Sequence, residues 1–247
     1  MTPLGLPDAI QACLFDLDGV LTRTATVHAA AWKEMFDAFL SRSEGSGFRP
    51  FDPVADYDRY VDGLPRADGV RSFLASRNIR LPEGGTDDSA DRDTVHGLGA
   101  RKNDIVLRMI KDEGVEAYPG SVRYVQAARA AGLRRAVVSS SANCRDVLVA
   151  AGIEDLFEVR IDGVVAAAQG LPGKPAPDTF LAAARALDVG PGQAAVFEDA
   201  QSGAEAGRAG GFGFVVGVDR VGQAEALRRH GADFVVRDLA ELLGERA

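Results

Sequence analysis

Residues 12–22 read Ala-Cys-Leu-Phe-Asp-Leu-Asp-Gly-Val-Leu-Thr, an apolar run that breaks into acids. Four apolar residues closed by an acid predict a short buried strand whose carboxyl end opens into a loop. That loop carries two carboxylates two residues apart, Asp16 and Asp18, and Gly19 permits the tight turn after them. From Thr24 the pattern turns helical: Val27, Trp32, Met35, Phe36 and Phe39 recur at helical spacing, with Thr24 or Thr26 as the cap. Ser41 to Gly47 and Leu81 to Asp93 read as polar loops. Between them Val70, Phe73 and Leu74 predict a short helix, and Lys102 to Lys111 predicts another.

After Pro119 the character changes. Val122, Val125, Ala128 and Ala131 mark a helix closed by Gly132, and Ala136 to Val138 is a strand running into Ser139. Helices follow at Val147 to Ala151 and Phe180 to Leu187, then a strand at Ala194 to Phe197 that ends in Glu198 and Asp199. Helix Ala204 to Ala209, strand Phe214 to Val218, helix Ala224 to His230 and strand Phe234 to Val236 complete the alternation. Strands alternating with helices predict an α/β fold, a Rossmann-like parallel sheet with helices on both faces. One strand precedes a mostly helical block and the others follow it. The block is therefore read as an inserted α-helical cap domain over 24–117, with 1–23 and 118–247 forming the core.

A chain of 247 residues has room for both parts. Its 46% hydrophobic and 26% charged residues exclude a wholly disordered or fibrous protein. With 28 Lys and Arg against 36 Asp and Glu, the net charge of -8 argues against nucleic acid as a partner. No apolar run approaches the ~20 residues that span a bilayer, so no membrane partner is expected. No basic segment opens the chain, and Asp8, Asp16 and Asp18 interrupt any signal-like stretch, so the expectation is a cytoplasmic protein. Two cysteines, Cys13 and Cys144, exclude a disulfide framework and read as buried thiols. The pattern leaves the oligomeric state open, and a monomer is compatible with it.

In open parallel sheets, ligands bind beyond the carboxyl ends of the strands. Four polar sites fall there or in adjacent loops: Asp16 with Asp18, Ser139, Lys174, and Glu198 with Asp199. Of two carboxylates at a strand exit, the first can attack as a nucleophile while the second transfers a proton. Asp-x-Asp-Gly also opens calcium loops, but Thr22, Thr24 and Val27 are poor replacements for the remaining ligands of that pattern. Glu198 and Asp199 together with Asp16 make an oxygen-rich site suited to Mg²⁺, although acids at a helix N-terminus are also simply favourable. Ser139 to Ser141 can present hydroxyls and backbone N–H groups to a phosphate, or cap a helix. Lys174, in a Gly-Lys-Pro turn, supplies the cation that would limit repulsion among carboxylates and phosphate.

These residues resemble the haloacid dehalogenase superfamily of phosphoryl-transfer enzymes, in its β-phosphoglucomutase-like branch with a helical cap. DLDGVLT from Asp16 is similar to the first motif, SSSAN from Ser139 to the second, GKPAPD from Gly173 to the third and FEDAQSG from Phe197 to the fourth. Their order and spacing cover nearly the whole chain. The resemblance implies that Asp16 is the nucleophile and forms an aspartyl phosphate. It implies that Asp18 is the general acid/base, with its backbone carbonyl on the metal. Asp199 would bind Mg²⁺, Glu198 would support or join that site, and Ser139 and Lys174 would hold the transferring phosphoryl group.

In the cap, Thr24 and His28 are similar to positions that contact substrate or orient the acid/base. Gly63 to Arg66 resembles a loop whose arginine grips the non-reacting phosphate. Lys102 resembles a lysine that reaches substrate, and Ser141 and Asn143 are similar to phosphate-contacting positions. As residues alone, His28 can simply pack, Arg66 reads as a surface charge, and Arg101 and Lys102 as a solvated helix start. Trp32, Phe36 and Phe39 read as cap core. Asp62 and Ala142 depart from the pattern, each standing where the resemblance implies a lysine.

The resemblance implies a small phosphorylated metabolite as the partner and two leading activities: a mutase moving phosphate between C1 and C6 of glucose, or a phosphatase of small sugar phosphates. Arg66 and Lys102 favour the mutase, because a bisphosphate needs a second anion site. A non-catalytic binding protein on the same fold is the third reading, and the presence of Asp16 and Asp199 argues against it.

Overall fold

The computed structural model describes residues 4–44 and 47–244. The chain divides into two compact units, Met1–Arg23 with Val115–Ala247, and Thr24–Gly114. In chain order the helices and strands are β1 (Ala12–Phe15), α1 (Thr24–Glu44), α2 (Ala55–Tyr60), α3 (Arg66–Ser76), α4 (Val95–Glu113), α5 (Pro119–Ala130), β2 (Arg134–Val138), α6 (Cys144–Ala150), β3 (Val159–Ile161), α7 (Gly163–Gln169), α8 (Asp178–Ala186), β4 (Ala194–Glu198), α9 (Gln201–Ala209), β5 (Phe214–Val218), α10 (Ala224–Arg229) and β6 (Phe234–Val236).

The first unit is built on a six-stranded sheet in the order β3-β2-β1-β4-β5-β6, with every neighbouring pair parallel. This is the α/β architecture the alternation predicts. β1 and β4 are buried at every position, which is why both read as continuous apolar runs. On one face Phe15 stacks on Phe197 with centroids 4.5 Å apart, and Tyr124 of α5 packs edge-on to Phe15 at 6.3 Å. On the other, Leu14, Val138 and Val196 join Phe180 of α8 in a closed apolar cluster. Burying side chains of this size contributes roughly 1.5–3 kcal/mol each. Register fixes the chemistry: Phe15 lies level with both Val137 and Phe197, so Asp16 leaves the sheet beside Val138 and Glu198.

The second unit is helical. Its core is Trp32 and Phe36 of α1 with Phe51 and Phe73, the rings of Phe36 and Phe73 lying 4.1 Å apart. Trp32 stacks on Phe36 at 5.2 Å, so it is core as its spacing implied. Thr94 caps α4 by accepting from the Gly97 N–H at 3.0 Å.

Several elements differ from the sequence reading. Ser41 to Glu44 continue α1 rather than forming a loop, and Gly45 and Ser46 of that expected loop lie outside the described residues. α4 begins at Val95, so Lys102 sits in mid-helix, not at a helix start. α2, β3 and α7 had no sequence signal strong enough to mark them. The second junction between the units falls after Gly114, three residues before the boundary read from the sequence. Residues 115–117 belong to the first unit because Arg23 N–H donates to the Glu116 carbonyl at 2.9 Å and Thr22 bridges to Ala117.

Candidate active site

The first unit gathers its polar residues at the carboxyl edge of β1 and β4. Asp16 is buried where β1 ends, its N–H donating to the Phe197 carbonyl at 2.9 Å. Its carboxylate accepts from the Asp18 N–H, which folds the loop back over the strand end. Lys174 is only 2% exposed. Its ammonium donates to Asp16 Oδ1 at 2.5 Å and to the Val138 carbonyl at 3.2 Å, and it forms an ion pair with Glu198 Oε1 at 2.5 Å. Two hydrogen bonds and a second ion pair fix the position of the ammonium.

Burial pushes the carboxyls up, Asp16 to about 6 and Glu198 to about 7. Lys174 pulls both down, while the negative neighbours Asp18 for Asp16, and Asp16 for Glu198, push further up. Burial alone would lower the Lys174 pKa, but the two carboxylates override it and hold the ammonium protonated.

Two glycines leave room for the acids. Gly19 has φ +84°, and a Cβ there would lie 1.7 Å from Asp199 Oδ2. A Cβ on Gly203, in the first turn of α9, would lie 1.9 Å from Glu198 Oε1. The second oxygen of Glu198 accepts from the Ala200 N–H at 3.2 Å.

Asp16, Glu198 and Asp199 are all buried, and each offers a carboxylate oxygen within 4.8 Å of the others. Three buried carboxylates face one ammonium, leaving an excess of negative charge that burial makes costly unless a cation is shared. The donors are all hard oxygens, which suits a divalent ion such as Mg²⁺. The Asp18 carboxylate is not part of this cluster, so only its backbone carbonyl is a candidate ligand there.

The loop after β2 is shaped by its serines. Ser139 is buried and its Oγ accepts from the Ser141 N–H at 3.1 Å, while Ser141 Oγ accepts from the Asn143 N–H at 3.1 Å. Asn143 occupies the cap position of α6 without a side-chain cap bond.

The second unit makes a cluster of its own. Lys102 is buried at 5% exposure, its Nζ 2.8 Å from His28 Nδ1 and 5.0 Å from the centroid of the Trp32 ring. Burial, then Lys102 and Arg66, drive the His28 pKa well below its ordinary value, so the imidazole is neutral. Its Nδ1 therefore accepts from the ammonium and the proton sits on Nε2. Arg66 is the first residue of α3 and half-buried, with burial lowering its pKa against the pull of Asp104. Neither the surface charge nor the solvated helix start read from residues alone describes Arg66 and Lys102. Thr24 lies buried one turn before His28 on α1, and Gly63 has φ +69° three residues before Arg66. Arg101 turns elsewhere, donating to the Ala90 carbonyl at 2.7 Å.

The sequence reading missed the loop after β5. Gln223 Nε2 donates to the Asp199 carbonyl at 2.9 Å and Arg220 Nε to the Gly19 carbonyl at 2.9 Å. A polar Asp219-Arg220 pair directly after a buried strand was the available signal, since that is the edge where ligands bind.

The model of the haloacid dehalogenase-like hydrolases matches residues 10–211. Over 246 residues the chain is 58% identical to a β-phosphoglucomutase of Mycobacterium bovis, covering 97% of this chain and 94% of that one. It is 31% identical to the fructose-1-phosphate phosphatase of Escherichia coli, over 81% of this chain and 92% of that one. Among solved structures, a β-phosphoglucomutase from Clostridium difficile superposes with a TM-score of 0.73 at 26% identity, covering 94% of this chain and 93% of that one.

Proposed function

The chain belongs to the haloacid dehalogenase-like hydrolase family, and on that premise we propose that it is a Mg²⁺-dependent β-phosphoglucomutase working through an aspartyl phosphate. It would convert β-glucose 1-phosphate to glucose 6-phosphate. The observation that carries the mutase over the phosphatase is the second cationic cluster, Lys102 and Arg66, within the helical unit. A hydrolase of a monophosphate needs one anion site, whereas a bisphosphate intermediate needs two. The 58% identity to a mutase along nearly the whole chain supports the same reading.

Phosphoryl transfer asks for positioning and charge neutralisation more than covalent machinery. Asp16 attacks phosphorus through a carboxylate oxygen, the bond from phosphorus to the leaving oxygen breaks, and Asp18 gives that oxygen a proton. The next acceptor hydroxyl returns a proton to Asp18 as it takes the phosphoryl group from Asp16. If the acceptor is the C6 hydroxyl, the product is a bisphosphate, which turns round and gives its C1 phosphate to Asp16. If water accepts, the enzyme is a phosphatase. Lys174 and Ser139 hold the transferring group. Asp16, Asp199 and the Asp18 carbonyl would bind Mg²⁺ beside Glu198, which also fixes Lys174. When bound there, Mg²⁺ would supply positive charge against the phosphoryl oxygens. Within the helical unit Thr24, His28 and Gly63 are the residues offered to the sugar, and within the sheet unit Ser141 and Asn143 are those offered to the phosphate.

Phosphorus NMR on purified protein with β-glucose 1-phosphate, Mg²⁺ and a trace of glucose 1,6-bisphosphate tests this. Glucose 6-phosphate is the expected product. Inorganic phosphate alone would identify a phosphatase, and an unchanged spectrum would overturn both.

A further inference from the structure

The loop between β5 and α10 touches both loops that carry the reacting groups, although none of its residues belongs to a recognised motif. Asp219 fixes the loop from within. Its Oδ1 accepts from the N–H groups of Gly222 at 2.6 Å and Gln223 at 2.7 Å. On this platform Arg220 spends its guanidinium across three separate segments. Nε donates to the Gly19 carbonyl at 2.9 Å. Nη1 donates to the Arg237 carbonyl at 2.6 Å and pairs with Asp238 at 3.2 Å. Nη2 reaches the Val20 carbonyl and Ser121 Oγ, each at 3.4 Å. The guanidinium carbon also sits over the Tyr118 ring, 3.6 Å from its centroid. Only 15% of the side chain is exposed. A planar fork with five donors is suited to such a junction, and a lysine would not replace it fully.

Gly19 is where this matters. It follows Asp18 directly, and its Cα lies so close to the Asp199 carboxylate that no Cβ fits between them. Whatever holds the Gly19 carbonyl therefore sets how Asp18 stands relative to Asp16 and Asp199. We propose that Arg220 is a positioning residue that holds the Asp18–Gly19 turn against Asp199 and thereby sets proton transfer by Asp18. This rests on the reading of Asp18 as the acid/base. Arg220 makes none of the chemistry itself. Its effect passes through a backbone carbonyl, and Gln223 complements it on the Asp199 carbonyl.

The test separates positioning from stability by leaving group. An alkyl phosphate expels an alkoxide that needs Asp18's proton, while a nitrophenyl phosphate expels an anion that scarcely does. kcat/KM reports the step in which Asp16 takes the phosphoryl group, so Arg220→Gln and Arg220→Lys are compared with wild type on both substrates. General acids contribute ~10²–10⁴-fold, so partial misplacement in Arg220→Gln should cost the alkyl phosphate about tenfold more than the aryl phosphate. Arg220→Lys should recover part of that difference. Equal losses on both substrates, or none, would overturn the proposal. Should Arg220→Gln fail to fold, the same ratio in Arg220→Lys decides. Amide hydrogen exchange over residues 17–23 gives an answer independent of activity, because the N–H groups of Gly19, Leu21 and Thr22 are bonded within the turn. Faster exchange in the variant supports the clamp and unchanged exchange overturns it. Wild-type protein that turns over neither phosphate nor β-glucose 1-phosphate would sink the functional reading instead, leaving exchange to judge whether Arg220 holds the turn.

Discussion

Gly19 and Asp199 are in direct contact: a Cβ on Gly19 would fall 1.7 Å from Asp199 Oδ2. The loop after β1 and the loop after β4 thus meet backbone to carboxylate. Gly19 also has φ +84°, which costs a non-glycine residue about 1–2 kcal/mol before any clash is counted. Gly19→Ala should therefore fold with a lowered midpoint yet lose the position of Asp199. Mg²⁺ titration and turnover are the measurements. Mg²⁺ affinity should fall at least tenfold and turnover with it. Wild-type affinity in the folded variant would show that Asp199 has room to move, and that this contact is incidental.

The metal-free protein should lose stability as pH rises through the range in which its buried carboxyls ionise. Asp16 is held near 6 and Glu198 near 7, both above their ordinary values, so the folded state binds more protons than the unfolded state from about pH 4 to pH 7. Stability from these two groups is full below the ordinary carboxylate range and is lost as pH climbs through 6 and 7. In EDTA, urea midpoints should fall between pH 5 and pH 8. Asp16→Asn should flatten that fall, because a shift of this size corresponds to roughly 3 kcal/mol over the full titration, part of it between pH 5 and pH 8. Mg²⁺ should restore more stability at pH 8 than at pH 5. A slope identical in wild type and Asp16→Asn would show that the Asp16 carboxyl is not strained by burial.

His28 should act in the opposite sense. Its pKa is depressed by burial and by Lys102 and Arg66, so the folded state keeps it neutral while the unfolded state protonates it below about 6.5. The unfolded state then binds the extra proton, and stability present above pH 6.5 is lost as pH falls. The limiting slope for one such group is about 1.4 kcal/mol per pH unit. Between pH 6.5 and 5, the urea midpoint of His28→Gln should rise more on acidification than that of wild type, because a contribution opposing that rise has been removed. An unchanged slope would mean that His28 titrates normally.

Much of this was written in local sequence. β1 and β4 lie in the sheet interior, so their apolar runs are unbroken, and the acids at their ends stand out against them. β3 is an edge strand of three residues with Arg160 in the middle, and α7 buries no residue, so neither leaves a hydrophobic pattern to detect. The start of α4 was hidden because Gly97 and Gly99 look like a loop; only packing and the Thr94 cap make it helical. The site was legible where a motif sits at a strand end. Arg220 escaped because its bonds reach backbone carbonyls some 200 positions away, at Gly19 and Val20, and backbone acceptors carry no sequence signature. The burial of Lys102 was equally silent, since its partner His28 lies 74 positions earlier on another helix.

Arg66 separates the two leading activities. A mutase must hold one phosphate of its bisphosphate while the other meets Asp16, then exchange them. Arg66 is suited to the held phosphate: its guanidinium grips phosphate oxygens in pairs, stays charged, and begins α3, whose N-terminus adds a positive dipole. It is half-buried, and burial lowers its pKa, so an anion would relieve a desolvated charge that Asp104 offsets only in part. Arg66→Ala should therefore cripple glucose 6-phosphate formation while sparing slow hydrolysis of a small aryl phosphate, which has no second phosphate to hold. A charge-assisted hydrogen bond contributes roughly 1.5–3 kcal/mol, or about one to two decades in rate when made in the transition state. The quantity to measure is the ratio of the two activities in wild type and variant. A ratio lowered ten- to a hundredfold places the distal phosphate at Arg66. Equal loss of both activities would make Arg66 a structural residue of the helical unit, and loss of neither would leave the second anion site without its main cation, which shifts the balance to the phosphatase.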